Sequence, residues 1–411
     1  MIVLLFKREK YLKKIRPFYH EEDIIKVITG VRRCGKSSLM QTIASEIKES
    51  GISEENIIYI DLDKLEYRKV NDADRLEELI LSKIGNTEKK YIFIDEIQNV
   101  TGFEEVINGF RTDGNCSIFI TGSNSYLLSG ELVTKLTGRY LEFEMFTLGF
   151  DEYIEMKRFY CKEINTNLNI ELINYIYDGG FPRTVFIDDL TAKRTYVSGV
   201  IKEIYEKDIR HRIKIKDTDA FETVRQYLIN NFGATTSIKS LTEAMNRDGI
   251  AISRETVTRY INALINAKVV YECSRFDMKS KRSLSGEKKY YLADLGFYYS
   301  QNTDNRINYG PALENIVYLY AKSLNYSVSI GRIGKFECDF ILRKIPNDYS
   351  YIQVAYTILE SKTTEDREYR ALEAIRDNYP KYVITTDWLI QKRNGIKHVN
   401  LMDFMTSGGC F

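Results

Sequence analysis

The chain has 411 residues, 44% of them hydrophobic and 28% charged, with a formal net charge of +1. That is ordinary globular composition for two to four domains of about 100–200 residues each, and it carries no whole-molecule basic field of the kind that draws a protein to nucleic acid. No stretch approaches the roughly 18 apolar residues of a membrane span, and the opening MIVLLF is shorter than the core of a signal sequence, so a cytoplasmic chain without a membrane partner is expected. The six cysteines, at positions 34, 116, 161, 273, 338 and 410, form no CxxC pair, and the three histidines are far apart, which argues against zinc and for free thiols.

The first chemistry-bearing segment is KVITGVRRCGKSSLM, residues 26–40. It fits GxxxxGK[ST] through Gly30, Gly35, Lys36 and Ser37. A β-branched run precedes the loop, and Leu39, Ile43 and Ile47 recur every four residues after it, as on one face of a helix. In such a loop the backbone N–H groups of Gly30, Val31, Arg32, Arg33, Cys34, Gly35, Lys36, Ser37 and Ser38 cradle phosphates. Lys36 offsets β/γ charge, and the Ser37 hydroxyl is a magnesium ligand, so ATP and Mg2+ are the expected cofactors.

KKYIFIDEIQNV, residues 89–100, reads as a buried strand ending in Asp95-Glu96. The spacing suits Asp95 as a further magnesium holder and Glu96 as the group that polarises the attacking water. SIFITGSNS, residues 117–125, is a third strand with a polar end, where Asn124, or Ser123, is a candidate for sensing the γ-phosphate. Arg139 follows in LTGRYLEFEMF, just before another strand, positioned to reach a neighbouring subunit's nucleotide.

Together these motifs resemble the AAA-type branch of P-loop ATPases. More closely, they resemble prokaryotic ATPases that join such a module to a C-terminal domain of unknown function, with GELVTKLTGRY (130–140) and GGFP (179–182) as further shared segments. The resemblance implies an α/β fold with a parallel P-loop sheet over 1–150 and a helical lid over 151–217. A winged helix over 218–299 and a restriction-endonuclease-like α/β domain over 300–411 complete it. It also implies sensor and arginine-finger roles for Asn124 and Arg139, a sensor role for Arg183, and homo-oligomers.

From about residue 218 the sequence texture changes. SIKSLTEAMNRDGI predicts a short helix, and SRETVTRYINALINAKVV a second one capped by Ser253. Its polar face carries Arg254, Thr258 and Arg259, and a basic hairpin follows with Lys279, Lys281, Arg282, Lys288 and Lys289. Arg254, Thr258, Arg259, Lys281 and Arg282 are the candidate contacts to double-stranded DNA; a protein partner is the alternative occupant of the same surface. In the last hundred residues, GPALENIVYLYAKSL predicts a helix carrying Glu314. A strand-like run then ends in Asp339, and another places Gln353 and Ala355 on one face. A magnesium-dependent nuclease puts acid, acid and acid-x-lysine at these places. Here glutamine and alanine replace the last pair, so Glu314, Asp339 and Gln353 are expected to be a vestigial set, with Lys335 or Lys362 as the substitute base if it were active.

Overall fold

The computed structural model describes residues 5–85, 88–122, 136, 138–210, 212–277, 282–302, 308–334, 336–344 and 348–411, with the backbone alone for 282–287. Two compact units result, residues 1–146 and 147–411.

The first unit is built on a five-stranded sheet in the order β2-β3-β4-β1-β5, with strands β1 (Ile25–Gly30), β2 (Ile57–Asp61), β3 (Lys90–Asp95), β4 (Cys116–Thr121) and β5 (Tyr140–Met145). Every pairing in it is parallel. β1, β3 and β4 are buried along their whole length, which is why they read as continuous apolar runs rather than alternating ones. Helices Lys36–Glu49, Ala73–Lys83 and Phe103–Asp113 follow β1, β2 and β3. Ile60, Ile92, Ile94, Ile107, Phe103 and Ile120 share the core between sheet and helices. Because β3, β4 and β1 are neighbours, their C-terminal ends bring Asp95, Thr121 and Gly30 to one edge, where ligands meet sheets of this kind.

The second unit opens with helices Phe150–Phe159, Leu168–Asp178 and Leu190–Glu203, the last continued by a π-helical turn, Ile204–Ile209. The GGFP segment docks by close backbone approach. A Cβ on Gly179, whose φ is +72°, would meet the Asp294 carboxylate oxygen at 2.0 Å. Asp294 is buried, and its two oxygens accept from the amides of Gly180 and Gly296, each at 2.8 Å.

Helix Thr218–Asn230, strand β6 (Thr235–Thr236), helices Ile238–Arg247 and Arg254–Asn266, and strands β7 (Val270–Asp277) and β8 (Arg282–Leu292) come next. Ser253 caps its helix as expected, accepting from Thr256 N at 3.2 Å. Helix Tyr309–Ser323 leads into β9 (Ser327–Ile333), β10 (Phe336–Lys344) and β11 (Asp348–Val354). Helix Lys362–Glu373 then leads to β12 (Lys381–Thr385), β13 (Lys392–Arg393), β14 (Ile396–Asn400) and a final helix, Leu401–Thr406.

The hairpin β7–β8 does not stand apart from the later strands. β7 pairs in parallel with β9, so all nine strands form one sheet, β13-β14-β12-β11-β10-β9-β7-β8-β6. Asp339 lies within β10 rather than at the end of a strand, at an irregularity of register between Cys338 and Ile341, because the apolar run Phe340–Leu342 carries the strand onward. Ala355 falls just past the end of β11, where its amide bonds Ile384 O at 3.0 Å and its methyl joins the core with Ile358 and Tyr369. Among the described residues no helix is long and apolar enough to cross a membrane.

Candidate functional site

The phosphate loop leaves β1 at Gly30, whose φ of +143° and clearance decide the residue: a Cβ there would lie 2.1 Å from the carbonyl oxygen of Met145. Arg33 and Gly35 also take positive φ, 68° and 107°, and Gly35 is the N-cap of helix Lys36–Glu49. The loop therefore ends on a helix N-terminus whose free N–H groups favour an anion. The Lys36 ammonium is buried and turns back on the loop, donating to Gly30 O at 3.2 Å and Val31 O at 3.4 Å. Neutral carbonyls hold it there without neutralising it, so its charge remains available to a phosphate. Cys34 is fully buried, and burial pushes its thiol above the ordinary range, so it acts as a small apolar residue.

Asp95 closes β3 beside this loop. Burial raises its carboxyl above the ordinary value, against hydrogen bonds from the hydroxyls of Ser37 and Thr121 that lower it. Thr121 Oγ1 donates to Asp95 Oδ1 and accepts from Glu96 N at 3.2 Å. Sequence reasoning passed over Thr121; its position at the C-terminal end of a strand adjacent to β3 was the available signal. Glu96 has φ +56°, an uncommon backbone for a non-glycine residue, and its carboxylate accepts from the Gln98 side chain. Hard oxygens from Ser37 and Asp95, with Thr121 orienting the carboxylate, suit magnesium.

Arg8, also unmarked in the sequence, braces the loop from behind. Its guanidinium is buried and donates through Nη1 to Cys34 O at 3.2 Å and Phe146 O at 2.8 Å. It lies over the Tyr11 ring at 4.6 Å, and Tyr11 Oη accepts from Phe146 N at 3.0 Å. Arg139 is exposed, with Nη1 bonding Asn108 Oδ1 at 3.2 Å. Ser123 and Asn124 lie outside the described residues, as do Lys279, Lys281 and Lys335, and the Arg282 side chain is not described. Val31, Arg32 and Ser38 take their expected places in the loop and the first turn of the helix.

In the second unit, Arg183 lies over the Phe186 ring at 5.9 Å. Arg254 approaches Glu243 at 3.8 Å, Thr258 Oγ1 bonds its own helix at Arg254 O, and Arg259 lies over Tyr260 at 5.7 Å. Lys288 pairs with Glu272 at 2.7 Å. Lys362 does not approach Asp339's neighbourhood as a partner; it is exposed and pairs with Glu365 and Asp366 on its own helix.

Comparison with known proteins adds the family. Residues 22–154 match the model of an AAA domain, and residues 169–306 match a domain of unknown function, DUF8612. An uncharacterized protein of Haemophilus influenzae is 35% identical over 408 residues, 98% of each chain. One from Methanocaldococcus jannaschii is 32% identical over 365 residues, 86% of this chain and 79% of its own. This chain belongs to their family. Among solved structures, a Walker-type ATPase of Pyrococcus abyssi aligns with TM-score 0.51 at 15% identity, over 72% of this AAA-domain chain and 95% of that one, a likeness of fold. The parallel sheet of the first unit is thus the AAA-type P-loop fold.

Proposed function

We propose that this AAA-family chain is a magnesium-dependent ATPase whose second unit carries a winged helix that binds DNA and a nuclease-like segment that does not cut. One observation carries the ATPase assignment. Lys36, Ser37, Asp95, Glu96 and Thr121 meet at the adjacent ends of β1, β3 and β4, with a helix N-terminus facing the same edge. Lys36 exchanges loop carbonyls for the β/γ-phosphates. Ser37 and Asp95 hold magnesium, which when bound neutralises charge on the phosphates. Glu96 takes the proton of the attacking water. Asn124 senses the γ-phosphate, and Arg139, exposed at the sheet edge, serves a neighbouring subunit's nucleotide in a homo-oligomer.

The order helix, β6, helix, helix, β7, β8, with β6 pairing on β8, supports a winged helix with Arg254, Thr258 and Arg259 on the reading face, and Lys281 and Arg282 are proposed as its phosphate contacts. Helix, three antiparallel strands, helix and a strand parallel to β11 support a nuclease-like core.

A specific contact favours a second reading, a nucleotide-dependent binding switch with little turnover. Gln98 occupies the Glu96 carboxylate and so withdraws the base. Steady-state ATP hydrolysis with and without duplex DNA, for the wild type, Glu96→Gln and Gln98→Ala, separates the two. A coupled ATPase is stimulated several-fold by DNA and loses roughly 10²–10⁴-fold in kcat in Glu96→Gln. A switch shows negligible wild-type turnover that rises in Gln98→Ala. Rapid hydrolysis by Glu96→Gln would remove Glu96 from the role given to it.

A further inference from the structure

Each carboxylate of the nuclease-like segment already accepts at one or both of its oxygens. Glu314 Oε2 accepts from Lys289 Nζ at 3.3 Å and from Tyr291 Oη at 2.9 Å. The same ammonium lies 3.1 Å from Glu337 Oε1, while Glu337 Oε2 accepts from Arg275 Nη2 at 3.1 Å. Asp339 is buried and its Oδ2 accepts from Val354 N at 2.8 Å. Gln353 donates through Nε2 to Glu368 Oε2 at 3.0 Å, and its own Oε1 is buried without a hydrogen-bond partner. The Lys289 side chain is 8% exposed. Among the described residues, no three His, Cys, Asp or Glu side chains are disposed to hold a metal ion.

The cations come from the hairpin and the anions from the helix and strand beyond it. Lys289 and Tyr291 stand on β8 and Arg275 on β7; Glu314 stands on helix Tyr309–Ser323 and Glu337 and Asp339 on β10. Asn315, next to Glu314, completes the joint, accepting from Leu292 N at 2.7 Å and donating to Leu292 O at 3.0 Å.

A nuclease of this fold needs open carboxylate lone pairs for a divalent cation. Here Glu314 Oε2 and both Glu337 oxygens are bonded to Lys289, Tyr291 and Arg275 instead. We infer that the ammonium of Lys289 takes the seat a divalent cation would occupy, so that the hairpin closes the nuclease-like site from within. Position 355 holds alanine where an active nuclease would carry its lysine, and Lys289, from another strand, supplies a positive charge as a structural pin rather than as a base. Burial alone would lower the Lys289 ammonium; the surrounding Glu314, Asp339 and Glu337 carboxylates outweigh it and hold it above its ordinary value.

The inference rests on the nuclease-like assignment of Glu314, Asp339 and Gln353. Its test is Mn2+ uptake by the nucleotide-free full chain, with thermal unfolding alongside. The wild type and Glu314→Gln are expected to bind Mn2+ identically, since the Lys289 ammonium already fills the seat beside Glu314. Lys289→Met is expected to lose roughly 10 °C in Tm by stranding buried carboxylates, to gain one equivalent of Mn2+, and to recover stability as it binds. Lys289→Arg keeps the cation and most of the stability. An equivalent of Mn2+ on the wild type that Glu314→Gln abolishes overturns the inference while leaving the nuclease-like assignment standing. A folded Lys289→Met that gains no Mn2+ overturns both. Should Lys289→Met not fold, the comparison of wild type with Glu314→Gln still decides.

Discussion

Two buried lysines, Lys36 and Lys289, have opposite partners. Lys36 is held by two carbonyls of its own loop, and its ammonium carries an uncompensated charge. Lys289 is held by the carboxylates of Glu314 and Glu337. A lysine bonded only to neutral oxygens at a helix N-terminus is poised for an incoming anion; one ringed by carboxylates has its counter-ions built in. The first arrangement predicts function without much stability, the second stability without much function.

Lys36→Ala attacks the open site and should give the largest effect. ATP turnover should fall by about 10³-fold or more, with Tm within a few degrees of the wild type, measured by phosphate release and calorimetry. Undiminished turnover would break the contrast at its root. Gly179→Ala attacks the built-in contacts of the second unit, because the new Cβ meets Asp294 and the backbone has φ +72°. It should cost about 2–4 kcal/mol in denaturant unfolding with ATP affinity retained.

Asp294 sharpens the contrast through pH. Burial raises its carboxyl to about 7, against the lowering effect of the Gly180 and Gly296 amides and Thr147. Below about pH 4 both folded and unfolded chains hold this proton, and its stabilisation is complete. Between about pH 4 and 7 the unfolded chain releases the proton first, so the stabilisation declines and is lost as pH passes the folded value. The wild type should therefore lose up to about 4 kcal/mol more than Asp294→Asn between pH 4 and 7.5, read from urea midpoints at each pH.

Arg8→Ala should loosen the phosphate loop, raising KM for ATP about tenfold with a smaller change in kcat. Arg8→Lys should recover part of the loss, because a single ammonium can reach one of the two carbonyls. The smallest effect belongs to Arg254→Ala, whose side chain is exposed and near Glu243. Duplex DNA affinity should weaken a few-fold, and the slope of log affinity against log salt should flatten by about one. An unchanged slope would move the winged helix toward a protein partner.

What the sequence made legible was local. The phosphate loop declares itself within fifteen residues because each of its glycines answers a backbone demand of the loop itself. β3 with Asp95-Glu96 is equally plain, since a strand buried on both faces leaves an unbroken apolar run. The helix capped by Ser253 was legible from its cap and its apolar face. The pinned cluster was not, because Lys289 meets Glu314 and Glu337 across two strands and a helix, and the charges looked like an ordinary basic hairpin. Asp339 was expected at a strand end, whereas it lies inside one, where a carboxylate is unfavourable on its own. The Val354 amide that accommodates it belongs to another strand. Arg8 and Thr121 were missed for the same reason, since the carbonyls and carboxylate they serve are distant in sequence.

The parallel pairing of β7 with β9 has a consequence for how the chain is made. β7 cannot gain its second neighbour until residues 327–333 have been synthesised, well after the hairpin itself, and β9 in turn waits for β10. The five strands of the first unit need nothing beyond Met145. The nine-stranded sheet is therefore a late assembly, its hairpin edge exposed on the emerging chain while the first unit is already folding.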